Sequence, residues 1–293
     1  MGIRDGKKVF PVQRCDWFEY CKSRKRKMDA ANVLFTCALA YPADFAKEDY
    51  RAALSKFYSM LELWKGMGLK LLFVFDGQSN AAKAPEDERR RAAREATKLK
   101  IAQLEETGEE PGRKLWSKLV KNTPAYILAC TRICKQLKVE FIVAPGEADS
   151  QLAEKETRYT RGRRRPLGVV SADSDMVALG VEDWVSVDQR NGGWYNGKAW
   201  RLQTQELNAR QCEAYPFVAA FLRHGTLAAI FNAALRGCDF STNHSGVMGV
   251  GAVKAAVALC AIEEGQLTSA ALTTYLRAHA ASFPQMCGKY REE

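Results

Sequence analysis

The sequence predicts an α/β fold, a mostly parallel sheet flanked by helices and followed by an all-helical lobe. Three observations predict it. Short, dense apolar runs of strand length alternate with stretches of helical periodicity up to about residue 204. Several of these runs end abruptly at a turn pair such as Asp-Gly or Pro-Gly. From about residue 205 the chain turns alanine-rich and helical to its end. The expected division is therefore 1–204 and 205–293.

Taken in order, Tyr50–Gly66 carries Leu54, Phe57, Met60, Leu61 and Trp64 at helical spacing. Leu69–Phe75 (LKLLFVF) reads as a buried strand stopped by Asp76-Gly77. Glu86–Glu106 is helix-prone but almost wholly polar, and a polar helix of that length projects from the body or binds something. Gly108–Gly112 breaks it. Thr123–Lys138 opens Thr-Pro, a cap followed by a first-turn proline. Val139–Ala144 (VEFIVA) is a second strand, ended by Pro145-Gly146. Leu167–Val170 is a third and Trp184–Val187 (WVSV) a fourth, with Asn191-Gly192-Gly193 as a hairpin signal before Trp194-Tyr195.

The chain has 293 residues, 47% hydrophobic and 27% charged, enough for a sizeable core. Nine scattered cysteines with no Cys-x-x-Cys pair, and only three histidines, exclude a structural zinc site and fit a reducing compartment. The opening MGIRDGKKVF has no apolar signal-peptide core, and no run approaches the roughly 18 apolar residues of a membrane span. A soluble intracellular protein is expected, with no membrane partner.

The net charge is +10. Basic residues gather in KSRKRK (22–27), EDERRRAAREATKLK (86–100) and TRGRRR (160–165). Each block alone reads as a solvated face. Three of them, on a chain that also carries isolated carboxylates in apolar settings, suggest a surface that holds nucleic acid around an acidic centre.

The carboxylates fall where strands end. Asp76 follows LLFVF, Glu147 and Asp149 follow FIVAPG, and Asp173 and Asp175 follow LGVVSA. Ligands of open parallel sheets bind beyond the carboxyl ends of the strands, so these acids would converge there. Each alone is readable as a cap or turn residue. Together they form an oxygen-only donor set that suits Mg²⁺ or Mn²⁺ rather than zinc. Two such ions about 4 Å apart stabilise the attacking and leaving oxygens of phosphodiester cleavage. Asp173 and Asp175 share one side if the chain is still extended there. Glu147 and Asp149 both reach the site if the helix begins only after Pro145-Gly146, with Glu147 in the entry turn.

Four segments in order, FVFDG (73–77), APGEADSQLA (144–153), SADSDMVALG (171–180) and GCDF…GVMGVGAVKA (237–256), resemble the structure-specific 5′-nuclease superfamily of flap endonucleases, exonuclease-one enzymes, xeroderma group G nucleases and Holliday-junction resolvases. EADSQLA is most similar to the exonuclease-one branch. The resemblance runs from about residue 29 to about residue 265. It implies a PIN-like nuclease domain with a helical arch at about 80–122, then a helix–two-turn–helix lobe. It implies seven metal-site acids, matched by Asp29, Asp76, Glu147, Asp149, Asp173, Asp175 and Asp239. It places Lys83 and Arg90, seven and fourteen residues after the FDG aspartate, at the scissile phosphate. Their plainer reading is a solvated helix face with internal ion pairs.

The resemblance also implies a substrate-stacking role for Phe35, whose plainer reading is a core phenylalanine. Gly249, Gly251 and Lys254 would contact duplex phosphates, with K⁺ or Na⁺ at that element. The implied enzyme is a magnesium-dependent DNA-repair nuclease, with two ions per site and Mn²⁺ as a substitute. It would cut DNA near a 5′ end, flap or junction, as exonuclease or endonuclease. A monomer is expected. The superfamily and the KSRKRK block imply a nuclear location.

The sequence departs from the superfamily pattern in places. Asp29 follows Lys25-Arg26-Lys27-Met28 rather than an apolar strand, so that strand is expected to be short or displaced. RDGKKVF does not match the usual apolar start of the first helix. RYTRGRRRP is a long insertion, and no clear sliding-clamp motif is found. Two rivals stand beside the nuclease. A 5′–3′ exoribonuclease shares the acids and a PGE turn, but not the glycine-rich second-lobe element. A catalytically silent nucleic-acid scaffold has no use for seven carboxylates that repel DNA.

Overall fold

The structure, a computed structural model, describes residues 10, 12–78, 84–154, 157–160, 163–202, 216–236 and 252–278. In chain order the elements are β1 (Val12–Asp16), α1 (Trp17–Ser23), β2 (Arg26–Asp29), α2 (Ala30–Ala40), α3 (Pro42–Ala46), α4 (Arg51–Gly66) and β3 (Leu71–Phe75). Then come α5 (Ala84–Glu106), α6 (Arg113–Trp116), α7 (Pro124–Gln136), β4 (Glu140–Val143) and α8 (Ala148–Ala153). They are followed by β5 (Thr157–Thr160), β6 (Arg163–Pro166), β7 (Val169–Val170), α9 (Asp175–Ala178), β8 (Trp184–Val187), α10 (Gly193–Asn196) and β9 (Lys198–Leu202). The last elements are all helical: α11 (Pro216–His224), α12 (Thr226–Arg236), α13 (Ala252–Cys260) and α14 (Ser269–Ala278). The expected boundary at 204–205 falls outside the described residues. None of the described helices is long and apolar enough to cross a membrane.

The chain divides into two compact units, Phe18–Val170 and Met1–Trp17 with Ser171–Glu293. In the first unit, β7, β2, β3 and β4 lie side by side and all parallel. Met28 pairs with Phe73 on one side and Val170 on the other, and Phe75 pairs with Val143. All five residues of β3 are buried, as befits a strand covered on both faces. Its core ring, Phe73, meets Phe57 edge-on at 6.1 Å and Trp64 stacked at 6.4 Å, both from α4. Full burial of such rings contributes about 2–3 kcal/mol each. Cys37, Cys130 and Cys134 line the packing of α2 and α7, where burial pushes the thiols of Cys37 and Cys134 up to about 12.

The strand that ends at Asp29 is short, four residues, as expected. It is β2, central among the four, and its ladders extend through Arg26 N–H to Lys70 O and Lys27 N–H to Gly168 O, both 2.9 Å. Two residues of the KSRKRK block are thus inside the protein, Arg26 at 3% exposure and Lys27 at 0%. They do not belong to the solvated face the composition suggested. The Arg26 guanidinium lies 3.8 Å from the centre of the Tyr20 ring, a cation–π contact that takes the place of water.

In the second unit, β1, β9 and β8 form an antiparallel meander, with Val12 opposite Leu202 and Val185 opposite Arg201. The turn before β9 differs from expectation. Asn191-Gly192-Gly193 does not close a hairpin onto Trp194-Tyr195. Instead Gly192 and Gly197, at φ +72° and +74°, bracket the short helix α10, and the returning strand starts at Lys198. The physical reason is Trp194. Its ring is buried edge-on to Trp17 at 5.8 Å, and Trp17 Nε1 donates to Gly193 O at 2.8 Å. Burying that indole pulls the segment inward into a helical turn. The helices α11, α12 and α13 pack through Ala220, Ala228, Ala229, Ala255, Ala256 and Ala258, small side chains that let backbones approach.

Candidate active site

The first unit presents acids at the carboxyl ends of three adjacent parallel strands. Asp29 is the last residue of β2 and the N-cap of α2. Its backbone is extended, and its carboxylate accepts from the Asn32 N–H at 3.4 Å and from the Asn32 side-chain amide. The aspartate thereby ends a strand and opens a helix, the preferred chemistry for that junction.

Asp76 follows β3 directly. Its Oδ1 accepts from the Ala148 N–H at 2.9 Å, the first amide of α8. This bond helps tie FDG to APGEAD across a separation of 72 residues. The turn beside it explains both glycine-bearing motifs. Gly77 N–H donates to Gly146 O at 2.7 Å and Gln78 N–H to Pro145 O at 3.3 Å. A Cβ on Gly77 would lie 1.9 Å from the Ala144 carbonyl oxygen, so no other residue fits without moving backbone.

Glu147 is the N-cap of α8 in extended conformation and Asp149 lies in its first turn. The helix therefore starts after Pro145-Gly146, in the arrangement that lets both acids face the strand ends. Ala148 and Leu152 are buried beneath them.

Asp173 and Asp175 belong to the second unit. The chain there is not extended. Ser171 Oγ accepts from Asp173 N–H at 3.0 Å, Asp173 Oδ1 accepts from Asp175 N–H at 3.1 Å, and Asp175 is the first residue of α9. The two acids are related by a side-chain-closed turn and not by the alternation of a strand. The short polar sequence Ser-Ala-Asp-Ser-Asp favours such local side-chain-to-backbone bonds over continued ladder pairing. Trp184 Nε1 anchors the turn by donating to Ser171 O at 3.1 Å.

The remaining predicted residues are placed in part. Arg90 sits half-buried on α5, whose 23 residues are predominantly polar, with Lys98 and Glu95 paired at 2.9 Å. Phe35 on α2 is 40% exposed and is not a core side chain. Lys254 lies on α13, where only its backbone is described. Lys83, Asp239, Gly249 and Gly251 lie outside the described residues.

Among the described residues no three His, Cys, Asp or Glu side chains close to metal-binding distance. Asp29, Asp76 and Asp173 instead engage backbone amides. The donor chemistry nonetheless fits a hard divalent cation. All the donors are carboxylates, each carries two oxygens, and Asp29 and Asp76 use local amides that orient the group while leaving acceptor capacity.

No protein-family model matches the chain. Curated relatives do match. The chain is 27% identical over 181 residues to Exonuclease 1 of Danio rerio, covering 61% of this chain and 21% of that protein. It is 30% identical over 226 residues to Exodeoxyribonuclease 1 of Schizosaccharomyces pombe, covering 75% and 34%. It is 29% identical over 137 residues to Flap endonuclease 1 of Danio rerio, covering 44% and 36%. The chain thus spans about a fifth to a third of the length of these relatives. Among solved structures, the flap endonuclease-1 of Methanococcus jannaschii aligns with TM-score 0.57 at 18% identity, over 94% of this chain and 80% of that one. The catalytic core of Rad2 aligns with TM-score 0.57 at 15% identity, over 98% and 73%. Those two likenesses show the fold, a PIN-like α/β nuclease architecture. With acids at the ends of β2, β3 and β4, and with exonuclease 1 and flap endonuclease 1 sequences among its relatives, the chain is similar to the structure-specific 5′-nuclease superfamily, and most of these relatives are of the exonuclease-1 kind.

Proposed function

We propose that this chain is a divalent-metal-dependent 5′ nuclease that hydrolyses DNA phosphodiesters near a 5′ end, flap or junction. The observation that carries the reading is the Asp76–Ala148 bond. It ties the residue after β3 to the first amide of α8, and Asp29, Asp76, Glu147 and Asp149 all lie at or after the carboxyl ends of adjacent parallel strands. The resemblance assigns Asp173, Asp175 and Asp239 to the same set. Two Mg²⁺ ions held there would supply an activated water and charge neutralisation at the phosphate. Mn²⁺ is the expected substitute.

The chain's own residues do the rest. Lys83 and Arg90 stabilise the charge that develops on the scissile phosphate, a role suited to the polar helix α5. The exposed ring of Phe35 stacks on a base beside the cut. Duplex DNA is held through its phosphates by Gly249, Gly251 and Lys254, with K⁺ or Na⁺ as an aid. The ribbon β5–β6 supports a polyanionic partner. Its two strands pair antiparallel and carry arginines of the TRGRRR block. We also propose a monomer that works in the nucleus.

The test is a cleavage panel in Mg²⁺ with labelled 5′ flap, nicked duplex, recessed-end duplex, four-way junction and single-stranded RNA. Cutting of at least one DNA substrate, lost with EDTA, is expected. No cutting of any substrate overturns the enzyme reading, and cutting of RNA alone makes the chain an exoribonuclease.

A further inference from the structure

Lys27 is the second residue of β2, two before Asp29, and its side chain is wholly buried at 0% exposure. A buried ammonium is costly unless its protons are accepted. Lys27 Nζ donates to Gln151 O at 2.7 Å and to Glu154 O at 2.8 Å. Those carbonyls belong to the end of α8, with Glu154 as its C-cap. The last carbonyls of a helix have no intrahelical partner, and a cation there also meets the negative end of the dipole.

At the other end of the same helix, the Asp76 carboxylate takes the Ala148 N–H. A six-residue helix is therefore held between an anion at its N-terminus and a cation at its C-terminus. A helix so short has little stability of its own, so these two ties and the burial of Ala148 and Leu152 decide where it lies. Lys27 and Asp29 are two apart on one strand and share a face. The face that carries Asp29 is thus also the face that grips the helix carrying Asp149 and capped by Glu147.

The geometry points to Lys27 as a positioning residue: it seats α8 against β2 and so fixes Glu147 and Asp149 relative to Asp29. The inference rests on the metal-dependent reading above. It also gives a reason for a lysine inside a strand that would otherwise be apolar. The lysine does not touch substrate. It acts through the helix it holds.

The test is Mn²⁺ binding to the DNA-free protein, followed by electron paramagnetic resonance, with backbone hydrogen exchange over 148–153 and 71–75. Lys27→Met keeps the apolar stem and removes the donors. Mn²⁺ affinity should fall about tenfold, the usual scale for removing a support behind a metal ligand. Exchange should accelerate in α8 while β3 keeps its protection. Lys27→Arg, which retains charge and two donors, should recover affinity to within about threefold. Parental Mn²⁺ affinity in folded Lys27→Met overturns the inference. So does an equal loss of protection in α8 and β3, which marks a merely structural lysine. Should Lys27→Met not fold, Lys27→Gln carries the same measurements with one donor kept, and failure of both to fold again overturns it. A parent chain that binds no Mn²⁺ at all sinks the metal reading itself, a result distinct from either.

Discussion

Strands β2 and β3 lie in register, Met28 against Phe73 and Asp29 against Val74, and the chain leaves each of them through an aspartate. Their materials are opposite. β3 is Leu-Leu-Phe-Val-Phe, and β2 is Arg-Lys-Met-Asp. Both are buried along their whole length. A central strand therefore needs its side chains satisfied, and apolar side chains are only the simplest way. In β2 Arg26 lies against the aromatic face of Tyr20, and helix-end carbonyls accept from Lys27.

The sharpest way to test this pairing is at the two terminal aspartates, where the largest effects are expected. Asp29→Ala and Asp76→Ala should each reduce DNA cutting about a thousandfold or more, because each removes a proposed cation ligand. Asp76→Asn separates the two duties of that residue. Its amide oxygen still accepts from Ala148 N–H, so a thermal melt should shift by less than about 1 kcal/mol in stability, while cutting is still lost. If Asp76→Asn cuts at the parental rate, the residue is a cap and nothing more.

The residue after each aspartate gives the next test. After β2 comes Ala30, buried in the first turn of α2, and after β3 comes Gly77, pressed on the Ala144 carbonyl. Gly77→Ala should lose about 3 kcal/mol of stability, read as a drop in melting midpoint, since the clash is with backbone and not with a movable side-chain tip. A smaller effect is expected within β2 itself. Arg26→Met replaces a buried guanidinium with an apolar chain of similar reach, and such exchanges are often close to neutral. Denaturant unfolding should show a change of about 1 kcal/mol or less. A loss several times larger would mean that the guanidinium, and not the stem, carries the stability at this position.

The same contrast explains what could be read from the sequence. β3, β4 and β8 announce themselves because their runs are mostly apolar and end at turn residues. β2 does not, because its partners are remote in sequence: Tyr20 is near, but the carbonyls of Gln151 and Glu154 are over 120 residues away. That Asp76, Glu147 and Asp149 follow strands was legible from the apolar runs before them. The way Asp173 closes a turn onto Asp175 was not, since that depends on Ser171 and on Trp184 beneath it. The turn at 191–193 was misread because the glycine signal is local, whereas the burial of Trp194 against Trp17 is not. Nothing in the sequence marked Gly77 as sterically obligatory. Its neighbour, the Ala144 carbonyl, arrives only when β4 pairs with β3.

The smallest expected effect concerns the helix that supports β3. Asp29 is the N-cap of α2, whereas before α4 the N-cap is Tyr50. Asp49, one residue earlier, accepts from Arg51 N–H at 3.1 Å, while Arg51 Nε donates to the same oxygen at 2.9 Å. The side-chain hydrogen bond from Arg51 is the main cause that holds the Asp49 carboxyl down at about 2. The folded value lies below the ordinary aspartate value of about 3.9, so the unfolded chain takes up the proton first as pH falls. The contribution is present in full above about pH 4 and is lost as pH falls toward 2. Both side chains are solvated, so the effect is screened and slight. Acid-unfolding curves of the parent and Asp49→Asn should coincide below pH 2 and separate modestly above pH 4, and the separation should shrink in high salt. Curves that separate instead only below pH 2 would show that Asp49 does not bind Arg51 in its charged form. Separation above pH 4 that closes below pH 2 means instead that the two aspartates differ in kind: Asp29 accepts from a neutral asparagine, whereas Asp49 spends its charge on Arg51.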